Sequence, residues 1–303
     1  MSLLDGHQAM RDALVEEGLI FATGVDGVYA HSETFERILG ALDARVRRWG
    51  VGLGATMLHL PPVLPRTTFD ATDYVRAFPD LMGSVHVFEG SNREHAELLR
   101  RLERGEDWSH ILEPAELVLA PALCHFVYPM CSGEVPPGGV LYEATGSCFR
   151  HEPSVDPTRL QTFRLHEVVY VGEPEQALQH RDQALAAGVA LLRQLGLQVS
   201  VVPANDPFFG RLGAALAAEQ YDEGLKFEGV APVVPGAKPT ALLSSNYHRD
   251  HFGAPFGIRT ATGEVAHSAC IGFGTDRIAL ALLAQHGLDP ADWPAQVTEE
   301  LFG

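Results

Sequence analysis

The chain has no apolar run approaching the ~20 residues that span a bilayer, and its first ten residues, MSLLDGHQAM, lack the basic-then-apolar layout of an export signal. A membrane protein and a secreted one are therefore not expected, and a cytoplasmic location is. Cysteine is scarce: the four present (Cys124, Cys131, Cys148, Cys270) include no Cys-x-x-Cys pair. A disulfide framework is accordingly not expected, while metal binding or plain burial stays open. Cations are also few, with 22 Lys and Arg against 39 Asp and Glu and a formal net charge of -17. Such a surface repels polyanions, and long nucleic acids are gripped through many Lys and Arg contacts to phosphate, so extended tRNA or DNA binding is disfavoured. Internal repeats, low-complexity stretches and Pro/Gly-rich linkers are absent as well. What remains is an ordinary globular composition, 46% hydrophobic and 20% charged over 303 residues. A chain of that length can bury roughly three quarters of its unfolded surface, and a single domain over residues 1–303 is expected.

The apolar spacing divides the chain into elements. Ser32 is placed to cap a helix that carries Phe35, Ile38, Leu39, Leu42 and Val46 on its apolar side and ends near Gly50; with what precedes it, this makes residues 1–55 a helical and hairpin region. LHLPPVLPR follows, and Pro61, Pro62 and Pro65 suit an edge or an interface better than a central strand. Further helices are predicted over Arg93 to Arg104 and from about Pro174 to Leu195, the latter closed by Gly196. Short β-rich runs (VLYEATGSCFRHE, TFRLHEVVYVG, LQVSVVP, LKFEGVAPVV, TALLSSNYH) precede a buried helix IALALLAQHG. Strand pairs with helices in separate stretches predict an α+β fold with a largely antiparallel sheet, and exclude a simple alternating βαβ design.

The segment GSCFRHEPSVDPTRLQTFRLHEVVYVG reads as a hairpin with a wide loop. Period-two alternation places Cys148, Arg150 and Glu152 on one face of the first arm, and Phe163, Leu165 and Glu167 on one face of the second. An arginine fork grips phosphate bidentately, an aromatic plate stacks on a purine, and Arg159 in the loop can reach outer phosphates. This outlines a nucleotide site, although a solvated hairpin with an Arg–Glu pair fits the same residues. In ACIGFGTDRIALALL, Arg277 sits in the first turn of a helix, where a cation opposes the macrodipole by ~0.3–1 kcal/mol. Asp276 offsets part of that conflict and a bound phosphate would remove it.

Taken in order, these segments resemble the three signature motifs of class II aminoacyl-tRNA synthetases. LHLPPVLPR resembles the first, the dimer-interface element. Phe149-Arg150-His151-Glu152, with the loop and Arg159 to Phe163, resembles the second, and Gly272 to Arg277 the third. The resemblance implies a class II antiparallel sheet flanked by helices and a homodimer. It also implies ATP as substrate, with Arg150 on the α-phosphate and substrate carboxylate, Glu152 toward the adenine amino group, Arg159 on the terminal phosphates, and Phe163 with Arg277 around the adenine. Magnesium is implied with it; the position aligned with the usual metal-binding Glu is Thr240, and Glu228 is the candidate replacement.

Cys124 in PALCHFVYP, Glu167, Cys270 and the run SSNYHRDHFG are together similar to the amino acid:[carrier protein] ligases, short relatives of the atypical seryl-tRNA synthetases of methanogens. That similarity implies a zinc held by Cys124, Glu167 and Cys270, with an open position for the substrate's α-amino group, and it implies a small amino acid, glycine or alanine. Three protein ligands and one vacancy is how a substrate-binding zinc is built. Cys131 is the fallback ligand, Cys148 is expected as a strand residue, His248 and His251 are the histidines of interest, and Asn246 and Asp250 are candidate substrate contacts. The motifs leave no room for a tRNA-binding domain. With the acidic charge, this favours the phosphopantetheine thiol of a small, acidic carrier protein as acceptor. Docking is expected at Arg45, Arg47 and Arg48, at Arg100, Arg101 and Arg104, or at Arg211 beside Phe208 and Phe209, each of which equally fits a solvated helix face. Two other functions stay open: an adenylating enzyme with tRNA or a small molecule as acceptor, and a non-catalytic regulatory paralogue.

Overall fold

A computed structural model describes residues 3–303, so Met1 and Ser2 of the N-terminal stretch lie outside the described residues. Helix α1 (Leu3–Glu16) leads through the hairpin β1 (Ile20–Ala22) and β2 (Tyr29–His31) into α2 (Glu33–Gly52). Ser32 caps α2 as expected, its hydroxyl accepting the Phe35 N–H at 3.2 Å, and the predicted apolar side is buried. Then come β3 (Thr56–His59), β4 (Val63–Pro65), the short helices α3 (Arg66–Ala71) and α4 (Tyr74–Ala77), β5 (Ser84–Val87), α5 (Asn92–Glu103), β6 (Glu113–Leu119), α6 (Cys124–Met130) and β7 (Gly133–Glu134). The second half contributes β8 (Val140–Phe149), β9 (Thr162–Gly172), α7 (Pro174–Gln194), β10 (Ser200–Pro203), α8 (Gly210–Asp222), β11 (Lys226–Ala231), β12 (Thr240–Arg249), β13 (Ile258–Arg259), β14 (His267–Gly274), α9 (Thr275–His286) and α10 (Ala295–Phe302).

The main sheet has seven strands in the order β10-β11-β12-β14-β9-β8-β3. Every pairing in it is antiparallel except that of β3 with β8. The proline-bearing segment behaves as predicted: β3 is the sheet's edge strand, Pro61 and Pro62 fall after it, and β4 edges a separate three-stranded sheet. Helices α2, α7 and α9 cover one face, where Ile38, Leu192, Ile271, Phe273 and Leu280 share a buried cluster; burial of each such side chain contributes ~1.5–3 kcal/mol. Gly188 lets α7 lie close to the strands, since a Cβ there would meet Ile271 Cδ1 at 2.8 Å. Pro174 opens α7, and Gly196, with φ +79°, closes it. The architecture is α+β with an antiparallel sheet flanked by helices, as the element order predicts. Among the described residues, no helix is long and apolar enough to cross a membrane.

One local expectation changes. Strand β8 ends at Phe149, so Arg150 and Glu152 do not continue its alternation. The Arg150 N–H still donates to Gln161 O at 2.9 Å, one rung beyond the strand, and the Glu152 N–H donates to Arg150 O at 2.8 Å in a tight bend. Pro153 follows and has no N–H to extend the ladder.

Candidate active site

The sheet face opposite the three helices carries a cavity of about 230 Å³. Antiparallel register supplies its floor. Cys148 pairs with Phe163, Gly146 with Leu165, Ala144 with Glu167, and Asn246 with Cys270, so every second residue of four strands points the same way. Arg150, Glu152, Phe163, Glu228, Asn246, Arg277, Cys124, Glu167 and Cys270 all line this one space. Arg159 and Asp250 are not among its lining residues: the Arg159 side chain is 56% exposed and paired with Glu152 at 3.0 Å, and Asp250 lies in the exposed turn after β12. Thr240 does not line it either, and β12 offers no carboxylate there; the lining acids include Glu152, Glu228 and Asp206.

At one end of the cavity, Arg150 Nε donates to Pro121 O at 3.2 Å, and its guanidinium carbon is 5.4 Å from the centre of the Phe163 ring. Among the described residues neither terminal nitrogen of Arg150 has a hydrogen-bond partner, which leaves both for an anion. Arg277 Nε donates to Thr158 O at 2.8 Å and its Nη1 to Ala241 O at 3.3 Å, which pins it across the β8–β9 loop and β12. Burial, and then the charges of Arg150 and Arg159, hold Arg277 below its ordinary pKa. Arg277, held near the cations of Arg150 and Arg159, makes with Arg150 a receptor for a polyanion such as triphosphate, because a bound anion relieves the repulsion on Arg277.

Sequence reasoning missed a second set of charges. Lys226, only 8% exposed on β11, binds Asp206 at 2.5 Å and lies 3.4 Å from Glu228. Asp206 also accepts from Gln220 Nε2 at 2.8 Å. Phe208 stacks on Phe78 at 5.1 Å, and the Phe209 N–H donates to Ala77 O at 2.8 Å. Together these bonds clasp the segment before α8 to α4 along the cavity. A lysine two residues from Glu228 in the strand-like run LKFEGVAPVV was the available signal. Beyond the clasp, α8 exposes an apolar strip of Phe209 (57%), Leu212 (80%) and Leu216 beside Arg211. The other two cationic clusters are partly neutralised: Arg45 bonds Glu300, and Arg100 and Arg101 both pair with Glu97.

At the other end, the Cys124, Glu167 and Cys270 donor atoms all lie within 4.8 Å of one another, and all three side chains are buried. Cys124 begins α6, Glu167 lies on β9 and Cys270 on neighbouring β14. The Glu167 carboxylate is oriented by the N–H groups of Cys124 at 2.8 Å and Leu123 at 3.3 Å. Burial, and then the charge of Cys270, push the Glu167 pKa up to about 8. Cys124 hydrogen-bonds Cys270 and is raised by it, while Cys270 is lowered as the acceptor. Three acidic side chains buried against one another are costly to ionise without a cation. Two sulfurs and a carboxylate suit zinc in number and softness. Cys131 is buried in the same apolar cluster as Cys124 and Cys270 but outside the donor group, and Cys148 packs against Leu123, Ala144 and Leu165. His248 lines the cavity; His251 does not.

No family model matches the chain. Two proteins of Bradyrhizobium diazoefficiens do: amino acid–[acyl-carrier-protein] ligase 1 is 41% identical over 285 residues, covering 93% of this chain and 87% of its own. Ligase 2 of the same organism is 38% identical over 287 residues, covering 94% and 86%. A seryl-tRNA synthetase of Methanopyrus kandleri, solved with an Aquifex aeolicus tRNASec, superposes with a TM-score of 0.82 at 24% identity, over 96% of this chain and 59% of that one. That likeness shows the fold, a class II synthetase core, and the chain spans well under two thirds of the synthetase. On the two close relatives, this chain is an enzyme of the amino acid–[acyl-carrier-protein] ligase family.

Proposed function

We propose that the protein activates a small amino acid, glycine or alanine, with ATP and passes the aminoacyl group to the phosphopantetheine thiol of a small acidic carrier protein. The observation that carries this reading is the single cavity with arginines at one end and the Cys124–Glu167–Cys270 group at the other. A triphosphate and an amino acid then meet between them. The two sulfurs and the Glu167 carboxylate would hold a zinc, which would supply an open coordination position for the substrate's α-amine. Magnesium would ride on the triphosphate, with Glu228, which lines the cavity, the candidate carboxylate.

In the first step, a carboxylate oxygen of the amino acid attacks the α-phosphorus in line, and the bond to the bridging oxygen of pyrophosphate breaks. Arg150 meets the charge that develops on the α-phosphate, and Arg277 with Phe163 holds the adenine. Arg159 and Glu152, at the mouth, receive the outer phosphates and the adenine amino group. Asn246, paired with Cys270 across the sheet, faces the substrate; Asp250 acts only if its turn moves inward. In the second step the carrier thiol attacks the adenylate carbonyl, the thioester forms and AMP leaves, a reaction that requires positioning more than a strong base. The exposed strip of α8 with Arg211 is the docking candidate we favour, since its apolar side chains and cation are unengaged. The enzyme is read as a cytoplasmic homodimer.

Purified protein with ATP, magnesium, glycine or alanine, and either phosphopantetheinylated carrier or bulk tRNA tests the acceptor. Carrier that gains the aminoacyl mass as a hydroxylamine-labile thioester, with tRNA uncharged, is the expected result; charged tRNA and unmodified carrier would overturn it. Exchange of pyrophosphate without transfer to either would point to a small-molecule acceptor. No ATP turnover at all would favour the regulatory paralogue, for which the Thr240 replacement is the one supporting feature.

A further inference from the structure

Polar side chains stand behind the Cys124–Glu167–Cys270 group. Tyr128, one turn along α6 from Cys124, is fully buried. His248, near the end of β12, lies with Nε2 3.7 Å from Cys270 Sγ. Its Nδ1 is 3.2 Å from the hydroxyl of Ser268 and 3.4 Å from that of Tyr128. Phe252 packs edge-on against the ring at 5.0 Å, limiting its rotation. Asn246 Nδ2 also donates to Cys270 Sγ, at 3.7 Å.

A sulfur bound to a metal has no hydrogen to give, and that sets the imidazole's tautomer: Nε2 carries the hydrogen, Nδ1 is then the acceptor, and the Ser268 hydroxyl opposite it, able to donate or accept, donates. The other tautomer would set a nitrogen lone pair against the sulfur's. His248 is also not one of the residues whose donor atoms all lie within 4.8 Å of one another, so it approaches one sulfur without joining the ligand set.

We infer that His248 is a positioning residue of the metal centre: its Nε2–H donates to the Cys270 thiolate while Ser268 engages Nδ1 and steadies the ring, and this bond aims the sulfur at the metal and moderates its electron donation. The inference rests on the zinc reading above. Outer partners of this kind orient the ligand and leave the open position to substrate. Ser268 ties His248 to β14, the strand that carries Cys270.

The test uses the whole protein loaded with cobalt(II) or zinc, with wild type, His248→Phe, His248→Gln and Cys270→Ser compared by chelator competition and by the thiolate-to-cobalt charge-transfer band. His248→Phe keeps a ring and removes the donor: metal binding should weaken about 10–100-fold, and the band should move to longer wavelength as the sulfur electrons rise in energy. Gln places an amide nitrogen where Nε2 was, so His248→Gln should recover most of the loss and return the band. A Phe variant equal to wild type in affinity and spectrum overturns the inference, as does a Gln variant no better than Phe. Cys270→Ser separates the two readings: if it retains wild-type affinity, the metal site itself is wrong, whereas loss there with no change in His248→Phe leaves the site standing and removes His248 from it. Should His248→Phe fail to fold, Ser268→Ala keeps the ring and removes its Nδ1 partner; it should shift the band the same way by less, and an unshifted band counts against the inference.

Discussion

Replacing Arg150 by alanine removes two terminal guanidinium nitrogens from the cavity but costs the fold little. Only the Nε hydrogen bond, at 3.2 Å from Pro121 O, commits the group to the protein among the described residues, so the two Nη groups are the part proposed to meet the α-phosphate. A hydrogen bond to a charged partner contributes ~1.5–3 kcal/mol, and two contribute ~3–6 kcal/mol, which corresponds to roughly 10²–10⁴-fold in kcat/KM. Lysine keeps a point charge and loses the fork and the Nε bond, so Arg150→Lys should retain about half of the stabilisation and fall ~10–100-fold. The assay is ATP–pyrophosphate exchange at saturating amino acid, with circular dichroism and thermal unfolding to verify the fold. If Arg150→Lys exchanges at the wild-type rate, or Arg150→Ala loses less than about tenfold, the assignment of Arg150 to the transferring phosphate is wrong.

Three other predictions concern the surroundings. Lys226→Met leaves Asp206 and Glu228 without their cation; because Asp206 is about a third exposed, the loss should be ~1–3 kcal/mol rather than the larger cost of a fully buried break, and limited proteolysis should cut first before or within α8. Glu167 holds its proton up to about pH 8 in the folded, metal-free protein, above its ordinary value. The folded state therefore binds more protons than the unfolded one between about pH 5 and about pH 8, and stability falls as pH rises through that window. Zinc uptake, which needs the carboxylate, should rise over the same range, and the zinc-loaded protein should show no such fall; parallel unfolding curves for the two forms would contradict this. Gly50→Ala drives a Cβ into Glu143 Oε2, while Oε1 is fixed by His166 Nε2 at 2.8 Å. Overpacking of this kind costs ~1–3 kcal/mol, and since both groups lie on the helix-covered side of the sheet, the melting temperature should drop with kcat unchanged.

Local chemistry is legible in the sequence. Ser32 caps a helix whose apolar side runs where the spacing puts it, and Pro174 and Gly196 bracket α7, because caps and periodicity are properties of a few adjacent residues. The β8–β9 hairpin is legible for the same reason, yet alternation does not carry its face to Arg150: the strand stops at Phe149 and the Pro153 bend turns the chain. The convergence of Cys124, Glu167 and Cys270 depends on the order β14-β9-β8 and the placement of α6 over it, which spacing in sequence does not encode; only the family resemblance points to it. The Lys226–Asp206 clasp escapes sequence reasoning because its partner sits in a loop that pairs with no strand. Asp250 and His251 look equivalent to Asn246 and His248 in SSNYHRDHFG, but the chain leaves β12 at Arg249, with φ +54°, and the later pair does not line the cavity.

Whether the protein adenylates a small amino acid is tested most directly by ATP–pyrophosphate exchange on metal-analysed protein with each common amino acid in turn. Zinc at one per chain is expected, with exchange driven by glycine or alanine and by no larger amino acid. Folded, zinc-bearing protein that exchanges with none of them would contradict the proposed activity.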